Sequence, residues 1–193
     1  MRVRNAAALL VFTLVAGGCG TRDRQERRPA PPRFGFGRAA ATGEISAWDT
    51  DVMPDGTGLP PGSGTPSHGA EIYRRKCAAC HGRTGTEGPF DRLVGREPRQ
   101  GFPFGRDPRL VKTVGNYWPY ATTLYDYVNR AMPLTAPGSL TPDEVYGLVA
   151  FLLWRNQIIS DTAVMNAQTL PRVVMPARDR FVPDNRRGGP EIR

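Results

Sequence analysis

The sequence predicts an all-α domain, and three segments carry that prediction. Residues 141–156 show an apolar stripe at helical spacing behind a start signal. Within residues 119–131 the side chains of Leu124, Tyr127, Val128 and Ala131 recur at i, i+3, i+4 and i+7 and therefore predict one inner face. A third helix is expected to run from about residue 67 into the cysteines near residue 80. With no βαβ pattern along the chain, we expect three to four helices and no substantial sheet.

Length and composition predict one domain with long arms. The chain has 193 residues, of which 22 are Gly and 19 are Pro, a share above that of an average globular protein. We therefore divide the chain into a signal segment over residues 1–18, a flexible Arg/Pro/Gly-rich linker over 19–65, a folded domain over 66–157 and an extended C-terminal arm over 158–193.

The positive charge lies at the two ends of the chain. The formal net charge is +8, yet residues 39–177 hold 13 basic and 13 acidic side chains. A nucleic-acid surface requires clustered Lys and Arg on the folded body. The placement of the charge therefore argues against a nucleic-acid partner and is typical of solvated tails, which near a membrane also rest on anionic lipid.

The N-terminus resembles an export signal. Arg2 and Arg4 precede an apolar run over residues 6–16 that is too short for a membrane span. Small residues then lead to Cys19, as in a bacterial lipoprotein signal in which that cysteine carries the lipid. Ordinary signal cleavage after Gly18 is the alternative. In both cases we expect an exported, periplasmic protein, and lipidation would tether it to the membrane and explain an otherwise unpaired cysteine.

The first helix of the domain is expected to begin near Ser67, a plausible N-cap. Gly69, Tyr73 and Cys77 lie four residues apart and therefore share one face. His68 is the only histidine besides His81, and we expect it to be a surface or capping residue.

The order Cys77-Ala-Ala-Cys80-His81 is the attachment pattern of a c-type haem. Two thiols about one helical turn apart can both add to vinyl groups on one edge of a porphyrin, and the next residue places its imidazole under the iron. Two alternatives remain open. A structural zinc site needs a fourth ligand that the chain does not supply, and a thioredoxin-like pair needs a βαβ context. We predict one covalently bound haem c, which agrees with export because attachment occurs outside the bacterial inner membrane.

Residues 82–118 are rich in Gly, Pro and Arg and predict surface loops. A metal-bound histidine usually donates its other N–H to a fixed acceptor. We expect the carbonyl of Pro89, in the turn that contains Gly85 and Gly88, to be that acceptor for His81, with a plain turn as the alternative. Residues 93–95 follow as apolar cover for the porphyrin.

The last helix of the domain has the clearest signals. Thr141 is the expected cap, and Glu144 completes a capping box. Gly147 in its interior costs about 1 kcal/mol relative to Ala, so close packing against another helix, with Gly69 as the candidate partner, is the expected reason.

The second axial ligand of the iron is expected to be Met132. It precedes Pro133 in the loop between the helices over 119–131 and 141–156, where the chain can fold over the open haem face. A core methionine is the alternative. A haem with Met and His ligands has no open position, which favours electron transfer over chemistry at the iron. Tyr117, Trp118 and Tyr120 precede this region as expected core aromatics, and a Trp N–H there could bond a haem propionate.

These motifs together resemble a class I cytochrome c over roughly residues 66–157. Two further stretches, 112–133 and 158–179, resemble the cytochrome subunit of bacterial sulfane or sulfite dehydrogenases of the Sox type. The resemblance implies a class I cytochrome c fold around one haem and a molybdenum-containing partner subunit that oxidises a sulfur compound. The cytochrome itself would have no catalytic residues and would pass electrons to a downstream cytochrome or oxidase.

Three functional hypotheses follow. The first is an electron-accepting subunit that docks on its dehydrogenase through the arm over 158–193. The second is a free or lipid-tethered carrier between respiratory complexes, which would need no such arm. The third is a sensor or catalytic haem in which Met132 is labile and a small molecule binds the iron.

Overall fold

The computed structural model describes residues 35–182. Within them lie five α-helices and one pair of two-residue strands, so the all-α class I cytochrome c prediction is confirmed. The signal segment, Cys19 and residues 183–193 lie outside the described part. The elements are α1 (Thr42–Trp48), β1 (Ser63–Gly64), α2 (Pro66–Lys76), α3 (Ala78–His81), α4 (Ala121–Ala131), α5 (Pro142–Arg155) and β2 (Met165–Asn166), with 3₁₀ turns at Pro103–Gly105, Leu170–Arg172 and Arg178–Arg180.

The core is built where α2 crosses α5. A Cβ added to Gly69 would overlap the backbone carbonyl of Gly147, so the crossing predicted from these two glycines is confirmed. Further along, the rings of Tyr73 and Phe151 pack with their centroids 4.9 Å apart. Because two backbones can approach this closely only without side chains between them, the glycines fix where the helices cross.

A threonine is the N-cap of each helix in the crossing. Thr141 and Glu144 form the predicted capping box at the start of α5. At the start of α2 the cap is Thr65, whose hydroxyl accepts from the His68 N–H at 3.3 Å, and not the expected Ser67. Pro66 occupies the first helical position, where its missing N–H costs no hydrogen bond.

Helix α4 packs its inner face on α5. Leu124 and Val128 are buried as predicted, but Tyr127 is 46% exposed and Tyr125 is fully buried in its place. The Tyr125 ring lies 4.6 Å from that of Tyr146 on α5. Expecting Tyr127 on the inner face was therefore wrong, because the buried stripe of α4 turns toward Tyr146.

The end of the expected linker folds onto the domain. Val52 is 5% exposed, and its N–H donates to the Asp126 carboxylate of α4 at 2.9 Å. The Thr122 hydroxyl donates to the carbonyl of Pro54, and the Tyr146 hydroxyl donates to that of Pro60, at 3.0 and 2.9 Å. Residues 52–65 are thus part of the domain, because α4 and α5 supply hydrogen-bond partners for them. These partners are distant in sequence, so the residues around 52–65 do not reveal them.

The arm over 158–193 also differs from its expected form. Met165, Leu170 and Met175 are at most 5% exposed and belong to the hydrophobic core. The two strands pair antiparallel, with Gly64 opposite Met165, so the C-terminal segment is joined to the entrance of α2. Through Ala177 the segment therefore completes the core of the cytochrome domain, where the sequence predicted an extended arm.

Helix α1 leaves its apolar side chains in solvent. Ile45 is 57% exposed and Trp48 is 88% exposed. None of its residues is buried, so the segment around Ile45 forms a helix without anchoring on the domain. Across the described residues, no helix has the length and apolar content needed to cross a membrane.

Candidate functional site

The Cys-x-x-Cys-His motif lies on a short helix, which a single non-helical residue separates from α2. Cys77 ends α2 with φ −123° and ψ −33°, and α3 starts at Ala78. The N–H groups of Cys80 and His81 then donate to the Cys77 carbonyl at 3.1 and 3.0 Å. The two cysteines are free and half-buried. One tight turn therefore presents two thiols and one imidazole to the same neighbourhood.

His81 is held through one ring nitrogen. Its Nδ1 lies 2.8 Å from the carbonyl oxygen of Asp91, a contact in which the ring N–H donates. The tautomer set by this bond leaves Nε2 as the nitrogen that can bind a metal. The acceptor is thus Asp91, and the prediction of Pro89 was wrong by two residues. The turn does supply the carbonyl, but its backbone path decides which carbonyl faces the imidazole.

The turn after the motif is fixed by two side chains, one from α2 and one from within the turn. The Tyr73 hydroxyl donates to the Gly82 carbonyl at 3.0 Å. The carboxylate of Glu87 accepts from the N–H groups of Thr84 and Thr86 at 3.0 and 3.1 Å and from both threonine hydroxyls. These bonds, first of all those from the Thr84 and Thr86 side chains, lower the pKa of Glu87 to about 2.

Two glycines allow this turn to lie against the haem motif. A Cβ on Gly88 would overlap the Cys80 carbonyl, and Gly82 adopts a left-handed φ of 78°. The chain can therefore return along the cysteine–histidine turn before it reaches Asp91.

A buried asparagine at the end of α5 positions the loop over 93–95. The Asn156 side chain is 1% exposed. Its Oδ1 accepts from the Gly95 N–H at 2.9 Å, and its Nδ2 donates to the carbonyls of Leu93 and Leu152 at 3.2 and 2.9 Å. Sequence reasoning missed this residue, because an Asn after a helix is usually read only as an end signal. Its bonds fix Leu93, the predicted apolar cover.

Met132 follows α4 directly. Its N–H closes the last turn on Val128 at 3.2 Å, after which the backbone becomes extended. The side chain is half-buried and packs against the core. The same holds for four residues from three other parts of the chain, namely Cys77, Ala78, Leu93 and Trp118.

These residues fit a covalently held haem. The partly exposed apolar side chains would contact a porphyrin, the two thiols would attach it covalently, and the His81 Nε2 would bind its iron. Met132 is the thioether available for the second axial position. A haem bound there supplies an iron that cycles between the ferrous and ferric states.

The two alternatives to haem find no support in the described residues. Among them, no group of three or more His, Cys, Asp or Glu side chains is arranged to hold a metal ion. Burial, followed by the charge of Cys80, raises the pKa of the Cys77 thiol to about 11 despite the neighbouring Lys76. Reactive redox cysteines show the opposite shift, since the thiolate is the nucleophile.

The remaining residues singled out from the sequence lie in different environments. His68 is exposed in the first turn of α2, as expected for a surface or capping residue. The three aromatics before α4 diverge. Tyr117 joins a cluster of phenylalanines, Trp118 packs on Tyr127 with ring centroids 5.7 Å apart, and Tyr120 lies under the Arg178 guanidinium.

Two comparisons with known proteins found a match. Residues 64–152 match the family described as cytochrome c oxidase, cbb3-type, subunit III. Among solved structures, a chain of the sulfane dehydrogenase SoxCD from Paracoccus pantotrophus is 42% identical, with a TM-score of 0.69. The match covers 79% of this chain and 73% of that one. No curated protein matches the chain.

Proposed function

The chain belongs to the class I c-type cytochromes, which carry a c-type haem and transfer electrons, and from this premise we propose a specific partner. The cytochrome accepts electrons from a molybdenum-containing subunit that oxidises a sulfane or sulfite sulfur. The observation that carries this proposal is the 42% identity to the sulfane dehydrogenase SoxCD over 79% of the chain.

The site is suited to electron transfer without chemistry on a substrate. The backbone carbonyl of Asp91 orients His81, and Met132 packs on the same core, so an iron held by both residues would have no open position. A two-electron oxidation of sulfur at the partner then requires two successive one-electron transfers to the single haem. The electrons leave to a downstream cytochrome or oxidase.

Exposed apolar residues next to the ligands provide a contact for the partner. Phe90 is 55% exposed and lies one residue before Asp91, and Leu134 is 66% exposed and lies two residues after Met132. Transient electron-transfer complexes use small interfaces, so two such side chains are a substantial part of the contact.

Part of the C-terminal segment belongs to the cytochrome core, so the segment is not a docking arm over its whole length. Met165 and Met175 are buried in the cytochrome core. The presence of this segment therefore does not separate a dehydrogenase subunit from a general carrier between respiratory complexes, and the similarity to SoxCD carries that distinction instead.

The proposal includes export to the periplasm and a lipid anchor on Cys19. Support comes from the signal-like N-terminus and from the site of haem attachment outside the inner membrane. Mass spectrometry of the mature N-terminus tests it. A lipid-modified Cys19 is expected, and an unmodified N-terminus elsewhere contradicts the anchor.

The partner is tested by purifying the tagged cytochrome from its host. We expect molybdenum to co-purify, and added thiosulfate or sulfite to reduce the haem. Absence of both, with a normal Met-ligated spectrum, would assign the chain to the general carriers.

A matched pair of variants tests the contact. Leu134→Lys should slow haem reduction by the purified partner about tenfold, because a charge is desolvated at the interface. Val174→Lys, which changes a similarly exposed apolar residue (70%) outside the loops that contain Phe90 and Leu134, should leave the rate unchanged. Equal rates for both variants contradict a contact at Leu134.

A further inference from the structure

A small cavity lies between the loop that follows the haem cover and the C-terminal segment. Its volume is about 40 Å³, and it is partly open to solvent. Arg96 and Arg99 line it from the loop, and Arg180 lines it from the last 3₁₀ turn. The haem ligands do not line it, so the cavity is distinct from the electron-transfer site.

Arg96 is held in place at both ends of its side chain. A Cβ on Gly115 would come within 3.0 Å of the Arg96 Cγ, so the glycine leaves room for the arginine stem. At the other end, Nη1 donates to the carbonyl of Gln157 at 3.3 Å. A guanidinium fixed in this way loses little conformational entropy when it binds a ligand.

The remaining charges of the cavity leave a positive balance. Arg99 pairs with the Glu97 carboxylate at 2.9 Å. The amide of Asn116, which also lines the cavity, is committed to the carbonyls of Glu97 and Val111. Arg96 and Arg180 therefore contribute two positive charges that no carboxylate among the lining residues offsets.

The cavity also has an aromatic lining residue. Phe102 lines it with a left-handed φ of 43°, a conformation that non-glycine residues rarely adopt. Three rings hold Phe102 there, with centroids 5.0 Å away at Phe104, 5.6 Å at Tyr117 and 5.3 Å at Phe181. Because Phe181 belongs to the C-terminal segment, the same cluster also brings Arg180 to the cavity.

We propose that this cavity binds a small, doubly charged oxyanion between Arg96 and Arg180. Planar guanidinium groups bind oxyanions through paired N–H donors, and partial exclusion of water strengthens such bonds. Sulfate, thiosulfate and phosphate share this chemistry. Bound anion would bridge the loop over 96–102 to the C-terminal segment and tighten their contact.

The test uses the purified oxidised holocytochrome, full length, without a partner. Isothermal titration with sulfate, thiosulfate and phosphate at constant ionic strength is expected to show saturable binding of one anion per chain, with chloride giving none. The anion that binds most tightly identifies which of the three oxyanions the cavity prefers. Failure of the molybdenum assay leaves this result untouched, because no partner is present.

Variants locate the site. Arg180→Gln should weaken binding of the preferred anion by about tenfold or more, since a hydrogen bond to a charged group contributes ~1.5–3 kcal/mol. Arg106→Gln removes the same charge from an exposed residue outside the cavity and should leave the affinity unchanged. Absence of saturable binding by all three anions, or equal losses in the two variants, overturns the proposal. The haem spectrum and melting temperature of each variant report whether the fold is retained.

Discussion

Gly69 on α2 and Gly147 on α5 meet backbone to backbone, with no room for a Cβ on Gly69. This contact sets the position of the whole haem motif. Tyr73, one turn further along α2, packs on Phe151 of α5 and donates to the Gly82 carbonyl behind the motif. Tyr73 therefore connects the helix crossing directly to the turn that carries the haem motif.

Substituting Gly69→Ala should destabilise the cytochrome by about 3 kcal/mol or more, at the upper end of overpacking costs, because the obstacle is backbone and cannot rotate away. Chemical denaturation of the holoprotein, together with the yield of haem-loaded protein, measures the loss. Gly105→Ala is the control, since no atom lies within 4 Å of its added Cβ. Similar stability in the two variants would contradict the close crossing.

Substituting Asn156→Ala should cost about 1–3 kcal/mol, because the Gly95 N–H loses its partner and the carbonyls of Leu93 and Leu152 each keep only one of two hydrogen bonds. The loop over 93–95 would become less ordered next to the porphyrin. The haem would then be more exposed to solvent, and added co-solvent should shift its absorption spectrum more than in the wild type. Ser160→Ala, at an exposed position four residues on, should change neither measurement. A loss below ~1 kcal/mol would mean that water replaces the amide at little cost.

Substituting Met132→Ala should change the ferric spectrum and lower the reduction potential by on the order of 100 mV or more, a fraction of the ~0.8 V that axial ligands span. The physical reason is that thioether sulfur favours ferrous iron. Spectroelectrochemistry measures both effects. Met53→Ala, at a half-exposed methionine, should change neither. An unaltered ferric spectrum in Met132→Ala would remove Met132 from the iron.

The proposed ligation by Met132 also predicts how the unaltered protein responds to small molecules. Carbon monoxide should not bind the reduced wild-type haem at neutral pH, because His81 and Met132 would fill both axial positions. It should bind Met132→Ala. Ready binding to the wild-type protein would favour the sensor or catalytic hypothesis instead.

Acid should loosen the turn after the haem motif in a narrow window. The pKa of Glu87 is lowered to about 2 from 4.5, so its contribution to stability is complete above about pH 4.5 and is lost as the pH falls toward 2. The melting temperature of Glu87→Gln should therefore fall less than that of the wild type between pH 5 and 2.5. Glu71→Gln, at an exposed position on α2, should follow the wild type. Identical acid profiles for Glu87→Gln and wild type would contradict the bonds to Thr84 and Thr86.

Truncation should separate the structural part of the C-terminal segment from its end. A chain that ends at Ser160 loses the buried Met165, Leu170 and Met175, each worth ~1.5–3 kcal/mol. That sum is comparable with the total stability of a small domain, so little haem-loaded protein should accumulate. A chain that ends at Val182 keeps these side chains and should melt near the wild type. Normal stability of the shorter chain would restore the segment to a separate arm.

The sequence by itself determined the chemistry of the site and the helices that carry it. Spacing within five residues identified Cys77, Cys80 and His81, and apolar periodicity with a capping box identified α5. These signals are local, because attachment to one porphyrin edge and the turn of a helix each involve neighbours along the chain. The Gly69–Gly147 crossing was also predicted from the sequence. A glycine within a helix lowers its stability, and close packing against another helix is the usual reason for keeping it.

Only the tertiary structure decided which partners complete the site. Asp91, and not Pro89, accepts from His81, because the path of an irregular turn selects the carbonyl. Asn156 reaches Leu93 and Gly95 across more than sixty positions of sequence. Segments without periodicity looked like linker and arm, yet they bury Val52 and Met165. Their burial depends on surfaces that exist only after α4 and α5 have packed, so no local pattern in those segments reports it.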